Sequence, residues 1–182
     1  MDAKQLLLTR QSTPRLVAPA PTAEQLSFLL DAAARVPDHG AITPWEFIIA
    51  VDDGLNKLAE VFVNAAKQKG ADEAFLNKAS NMPHRAPMVI TVVAKTKQHD
   101  KVPVLEQQLA VGCATMAMQQ AAFSIGLGAV WRTGDFAFDP IVNQQLGLTA
   151  DDQIIGFLYV GTPAVVAPIK PLKSGLQFAR YL

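Results

Sequence analysis

Hydrophobic residues recur along this chain with two rhythms, one helical and one continuous. Asp2 stands at an N-cap position ahead of Leu6, Leu7 and Leu8, and that short helix ends near Arg10, before Pro14. Pro19 and Pro21 mark an irregular segment. Thr22 and Gln25 then form a capping box in front of Leu26, Leu29, Leu30, Ala33 and Ala34 at helical spacing, and this helix stops near Arg35-Val36-Pro37. Residues 38–44 read as a loop. Residues 55–69 form an amphipathic helix closed by Gly70, and residues 72–80 a weaker one. Asp139 followed by Pro140 opens a further helix that ends at Gly147.

The continuous runs predict strands. Residues 45–51 and 87–94 are rich in Phe, Val and Ile and read as buried strands; a short strand reaches Trp131, and residues 154–160 form the last. Residues 104–126 are different again. Leu109, Val111, Cys113, Met116, Met118, Ala121, Phe123 and Ile125 place apolar groups on nearly every face of a long helix, the signature of burial on all sides. In a chain of this size that points to a second subunit. The proline-marked tail, residues 163–182, reads as extended chain lying over a neighbour. Helices and strands intermix without repeat or linker, so the expected class is α+β, with a mostly antiparallel central sheet, surrounding helices and a single domain spanning residues 1–182.

Composition sharpens this. The chain has 182 residues, half of them hydrophobic, only 18% charged, and 16 basic against 16 acidic side chains. A zero balance argues against a general nucleic-acid or polybasic membrane surface. The low charge count leaves a large core or a surface covered by a partner as explanations. Cys113 is the only cysteine, so no intrachain disulfide forms, and it reads as a buried inert thiol. His39, His84 and His99 show no metal-ligand spacing. The N-terminus lacks a secretory pattern and no apolar run spans a membrane, so a cytoplasmic protein is expected.

Phosphate-loop, zinc-protease and nucleophile-elbow motifs are absent. Gly126-Leu127-Gly128 lacks a third glycine and follows a helix, the wrong side for a dinucleotide turn. Three clusters remain. Arg10-Gln11-Ser12 offers a guanidinium fork, a hydroxyl and a backbone N–H suited to a phosphate or a flavin edge, or else is a solvated helix end. Arg35 and His39 sit on a Pro/Gly-bounded loop, a common place for a ligand and also for a surface histidine. Arg132, directly after a strand, needs either an anionic ligand or a carboxylate such as Glu106 or Asp135.

In this order and spacing the clusters resemble the nitroreductase family of FMN enzymes. The family's R-R-S-x-R start is similar to Arg10-Gln11-Ser12-Thr13-Pro14-Arg15, with one residue more before the last arginine. Its A-P and Q-P-W-x-F runs resemble Val36-Pro37 and Thr43-Pro44-Trp45-Glu46-Phe47, and its A-A-x-x-x-G-L-G segment resembles residues 121–128. The likeness is greatest to the small single-domain NAD(P)H nitroreductases of enterobacteria, through Val36-Pro37-Asp38-His39, residues 85–95 and Trp131-Arg132-Thr133-Gly134.

The resemblance implies an intertwined homodimer with two FMN sites at its interface, NADH or NADPH as reductant, and a nitroaromatic, quinone or similar small-molecule acceptor served by ping-pong hydride transfer. It implies that Arg10, Gln11 and Ser12 contact FMN, and that Arg35 and His39 reach the flavin held mainly by the other subunit. Trp131, Arg132 and Thr133 close the site. Ala121, Ala122, Phe123, Ser124, Ile125 and Gly126 match a nicotinamide stretch. Gln11 stands where the family usually has Arg, and Thr43 where it has Gln. No acid–base dyad is expected, because the flavin carries the chemistry. A flavin-binding carrier or sensor without efficient turnover is the alternative.

Overall fold

The computed structural model describes residues 1–182. Its helices begin where the caps predict. The Asp2 carboxylate accepts from the Gln5 backbone N–H at 2.7 Å and starts α1 (Ala3–Thr9). Thr22 and Gln25 close a reciprocal box at the head of α2 (Ala23–Ala33). Asp139 caps α6 (Pro140–Gln145). Each cap satisfies backbone N–H groups that have no partner within the helix.

All strand pairs are antiparallel. A long strand β5 (Asp152–Pro163) pairs with β3 (Met88–Lys95) on one side and with β4 (Gly128–Arg132) on the other. At its far end it meets β1 (Leu16–Val17), and β3 in turn pairs with β2 (Trp45–Val51). The α+β class with an antiparallel sheet is therefore observed. Two readings need correction. The β2 segment is an edge strand, half-buried with Glu46 outside, because only β3 lies beside it. The last strand is longer than residues 154–160, since pairing with three partners extends it in both directions. The two-residue β1 was not foreseen.

The sheet separates two cores. On one face α3 (Asp53–Gln68) and α4 (Glu73–Asn81) pack through Phe62, Leu58 and Ala65 against Val89, Phe157 and Tyr159. On the other, α2 and the long α5 (Val104–Ser124) pack through Leu29, Val111, Ala114 and Met118 against Ile90, Leu158 and Val160. The all-round burial expected for α5 fails within one chain. Its sheet-facing side is buried, whereas Leu105, Leu109 and Cys113 form an exposed i, i+4 stripe on the opposite side. Cys113 is consequently an exposed thiol, not a core one. The tail beyond β5 is exposed as well, with Val166, Phe178 and Tyr181 each more than three-quarters accessible. No helix is long and apolar enough to cross a membrane.

Candidate functional site

The first and third clusters share the open edge of β4. The Thr13 backbone N–H donates to the Ala129 carbonyl at 2.9 Å, which lays the segment after Arg10-Gln11-Ser12 along that edge. Trp131 lies two residues further on, roughly 7 Å along a strand. Close approach is possible because position 128 is glycine: a Cβ there would lie 2.6 Å from Leu16 and 3.0 Å from Thr13.

The tail completes this side of the molecule. The Gln11 side-chain amide donates to the carbonyls of Ala167 (3.3 Å) and Pro168 (3.1 Å), and its oxygen accepts from the Lys170 backbone N–H at 3.2 Å. Gln11 thus straps residues 167–170 against the end of α1. Between the two segments lies a cleft of about 250 Å³ lined by Arg10, Ser12, Lys170 and Lys173. Three cations and a hydroxyl with no carboxylate partner make an anion cradle of phosphate chemistry. Lys170 and Lys173 escaped the sequence reading because no local pattern links them to Arg10; the only hint was that the proline-marked tail carries lysines.

The second cluster lies elsewhere. His39 Nδ1 is 2.7 Å from Glu106 in the first turn of α5. A second cleft, which Gln11 shares, touches Phe123 and Gly126 at the other end of that helix. Seventeen residues of helix separate Glu106 from Phe123, about 25 Å. Arg35 is also outside both clefts that contain the first and third clusters. The loop holding His39 is strained: Gly40, Ala41 and the β-branched Thr43 all have positive φ, and Asp38 accepts from the Thr43 N–H at 2.6 Å. Thr43 therefore serves the loop's own geometry, its hydroxyl donating to the Ile42 carbonyl.

Arg132 does not pair with Glu106 or Asp135, the two carboxylates offered from sequence; Glu106 is taken by His39. Its guanidinium instead stands 6.0 Å from the Tyr159 ring centroid. Together with Trp131 and Thr133 it borders a larger cleft of about 480 Å³. The Trp131 indole N–H donates to the Ile155 carbonyl at 3.1 Å, which fixes the ring against β5. In the stretch matched to the nicotinamide segment, Ala121 and Ala122 are core side chains. The Ser124 hydroxyl is spent on the Ala121 carbonyl, and Ile125 is exposed. Phe123 and Gly126 border the cleft that Gln11 shares.

Comparison with known proteins gives these features a context. The model of the Nitroreductase family matches residues 7–162. "Putative NAD(P)H nitroreductase YdjA" of Escherichia coli K12 is 45% identical over 92% of this chain and 91% of its own length. A "Putative NAD(P)H nitroreductase" of Haemophilus influenzae is 43% identical over 89% of each. Among solved structures, a nitroreductase-like family protein from Bacillus cereus superposes with a TM-score of 0.87 at 21% identity, covering 100% of this chain and 96% of that one. A nitroreductase with bound FMN from Bacteroides fragilis gives 0.74 at 21% identity, covering 96% and 97%.

Proposed function

The chain belongs to the nitroreductase family, and from that premise we propose that it is an FMN-dependent NAD(P)H oxidoreductase that works as a homodimer. The observation that carries the proposal is the cradle of Arg10, Ser12, Lys170 and Lys173 at the edge of β4. Its donor set fits the phosphate of a flavin mononucleotide, and FMN held there would supply hydride transfer, in two half-reactions, from NADH or NADPH to a nitroaromatic, quinone or similar acceptor.

The chain's own residues then bind and position. Arg10 and Ser12, with the two tail lysines, hold the phosphate. Gln11 keeps those lysines in place; where an arginine would add charge directly, this glutamine brings charge from residues 170 and 173. Trp131, Arg132 and Thr133 present the end of β4 to the ring. Arg132, with no carboxylate within 4.0 Å, would place positive charge beside the ring.

Arg35 and His39 serve the site of the other copy. Within one protomer about 25 Å of helix separates their loop from the Gln11 end of α5. A two-fold pairing of α5 helices with opposed directions brings the head of one beside the end of the other. The exposed Leu105, Leu109 and Cys113 stripe and the apolar tail supply surface for that pairing. In this reading the enzyme works in the cytoplasm.

The test is the visible spectrum of the purified protein. Flavin bands are expected, bleached by NADH or NADPH and restored by a quinone. A colourless protein that stays colourless and inactive with added FMN overturns the proposal. A protein that binds FMN but does not oxidise either nucleotide is a carrier instead.

A further inference from the structure

The larger cleft touches the site above only at its Trp131–Thr133 rim, and the rest of it has other properties. It opens on the α3/α4 face of the sheet, where Phe62, Phe157 and Tyr159 belong to the core, whereas the neighbouring Leu158 and Val160 face α5. The exposed apolar stripe of α5 is therefore on the other side of the sheet. Its volume, about 480 Å³, falls within the range of small-molecule sites, about 300–1,000 Å³.

The walls are aromatic. Phe62 stacks on Phe136 at 4.4 Å and meets Phe157 edge-on at 5.1 Å. Lys78, Arg85 and Arg132 stand at the rim with one acid, Asp135, and none of the three cations has a carboxylate within 4.0 Å. Tyr159 is 4% exposed overall, and its hydroxyl, which has no partner within the protein, is open to the cleft. Burial pushes the Tyr159 phenol up, with Arg85 and Arg132 pulling it back, and the net direction is upward. The hydroxyl is thus a proton donor at neutral pH. A hydroxyl donor, the Arg85 guanidinium and the Lys78 ammonium beside aromatic side chains complement an oxyanion carried on an aromatic ring.

We propose that this cleft is a binding site for an aromatic carboxylate, distinct from the flavin cradle. Val89 pairs with Tyr159 across β3 and β5, so the register of these two strands also brings Arg85, just before β3, into the same cleft as Tyr159. The carboxylate would receive the Tyr159 hydroxyl and the Arg85 guanidinium, and the ring would lie against the partly buried Phe75 and Met82.

The experiment is calorimetric titration of the FMN-supplemented protein with benzoate, with benzamide as the neutral isostere, at low salt. Benzoate is expected to bind and benzamide to bind about tenfold more weakly or worse. Arg85→Gln should weaken benzoate by about tenfold, Arg85→Lys by less, and Tyr159→Phe severalfold, with unchanged circular dichroism as the folding control. Benzoate and benzamide binding alike, no benzoate binding at millimolar concentration, or affinity unchanged in Arg85→Gln each overturns the proposal. A fourth outcome does the same: if FMN displaces benzoate in competition, the cleft is the flavin's own. The flavin spectrum is read separately, so loss of this site and loss of the flavin reading are distinguishable.

Discussion

Gly156→Ala is a change of one methyl group with a consequence that can be worked out atom by atom. The β3–β5 ladder shifts register between Val92, which faces Gly156, and Val93, which faces Ile154. Ile155 is the extra residue of this bulge, and its carbonyl is left to accept from the Trp131 indole at 3.1 Å. The indole consequently lies directly over Gly156. A Cβ there would overlap Nε1 and lie 2.6 Å from Cδ1 and 2.8 Å from the Arg132 carbonyl oxygen. The indole must swing away, and the Arg132 carbonyl, held in the β4 backbone, still crowds the added methyl. Overpacking of this kind costs about 1–3 kcal/mol, and the lost hydrogen bond adds about 0.5–1.5 kcal/mol. The expected loss is about 2–4 kcal/mol, and each kcal/mol lowers Tm by about 2–4 °C in a chain of this length. Urea unfolding at one fixed protein concentration measures it. A loss below about 0.5 kcal/mol refutes the argument, since ordinary surface changes fall in that range. So does an undiminished loss in a Trp131→Ala background, where the indole is no longer there to obstruct.

Four further outcomes follow from the same coordinates. Asp152, nearly buried, accepts from Lys95 at 2.5 Å and from the Thr149 N–H at 2.8 Å. Burial works to raise its carboxyl and those two bonds outweigh it, so the net shift is downward. A carboxyl lowered in the folded state stabilises above its unfolded pKa, about 3.9, and that contribution fades as pH falls through the folded value. Asp152→Asn should therefore cost about 1–3 kcal/mol near neutrality and progressively less in acid, read from urea melts across pH. Gln11→Ala should release the tail and speed tryptic cleavage after Lys173, the bond after Lys170 being closed to trypsin by Pro171; unchanged protection contradicts the strap. Arg10→Gln and Lys173→Gln should each weaken FMN about tenfold in fluorescence titration, with a salt dependence smaller than the parent's. Leu109→Glu, which puts a charge on the exposed stripe of α5, should give monomers in sedimentation velocity, and a dimer of parental stability counts against that face.

What could be read from the sequence divides along physical lines. Caps were legible at Asp2, Thr22 and Asp139 because a cap is satisfied within three residues of itself. The β3 run was legible because it is apolar on both faces and its neighbours are strands whatever their identity. The β1 pair was not, because Leu16 and Val17 are a strand only by virtue of Pro163 and Thr162. Hydrophobic content could not tell that β2 is an edge. It also could not tell which face of α5 meets the sheet, and this is why Cys113 was placed inside. Of the site, Arg10, Ser12 and the Trp131–Thr133 run were visible as clusters. Lys170 and Lys173 join Arg10 only through three hydrogen bonds spanning about 160 residues, and Arg85 meets Tyr159 only through strand register.

The neutral charge balance conceals the distribution that matters. Five acidic groups are drawn into pairs: Asp152 and Glu46 with Lys95, Asp139 with Lys69, Asp53 with Lys57, and Glu106 with His39. Six of the cations without such a partner gather in two clefts, Arg10, Lys170 and Lys173 in one and Lys78, Arg85 and Arg132 in the other. Both clefts adjoin β4, one near its start and one at its end. A chain with so few charges gains no solubility by leaving six of them unpaired in clefts rather than spread over its surface, and unpaired cations near one another cost electrostatic energy until an anion arrives. The pairs with a buried carboxylate, Asp152–Lys95 and Asp139–Lys69, stabilise the fold, while each of the two clefts is left with an excess of positive charge that an anionic ligand neutralises. Raising ionic strength should accordingly weaken ligand binding at both clefts far more than it weakens the fold.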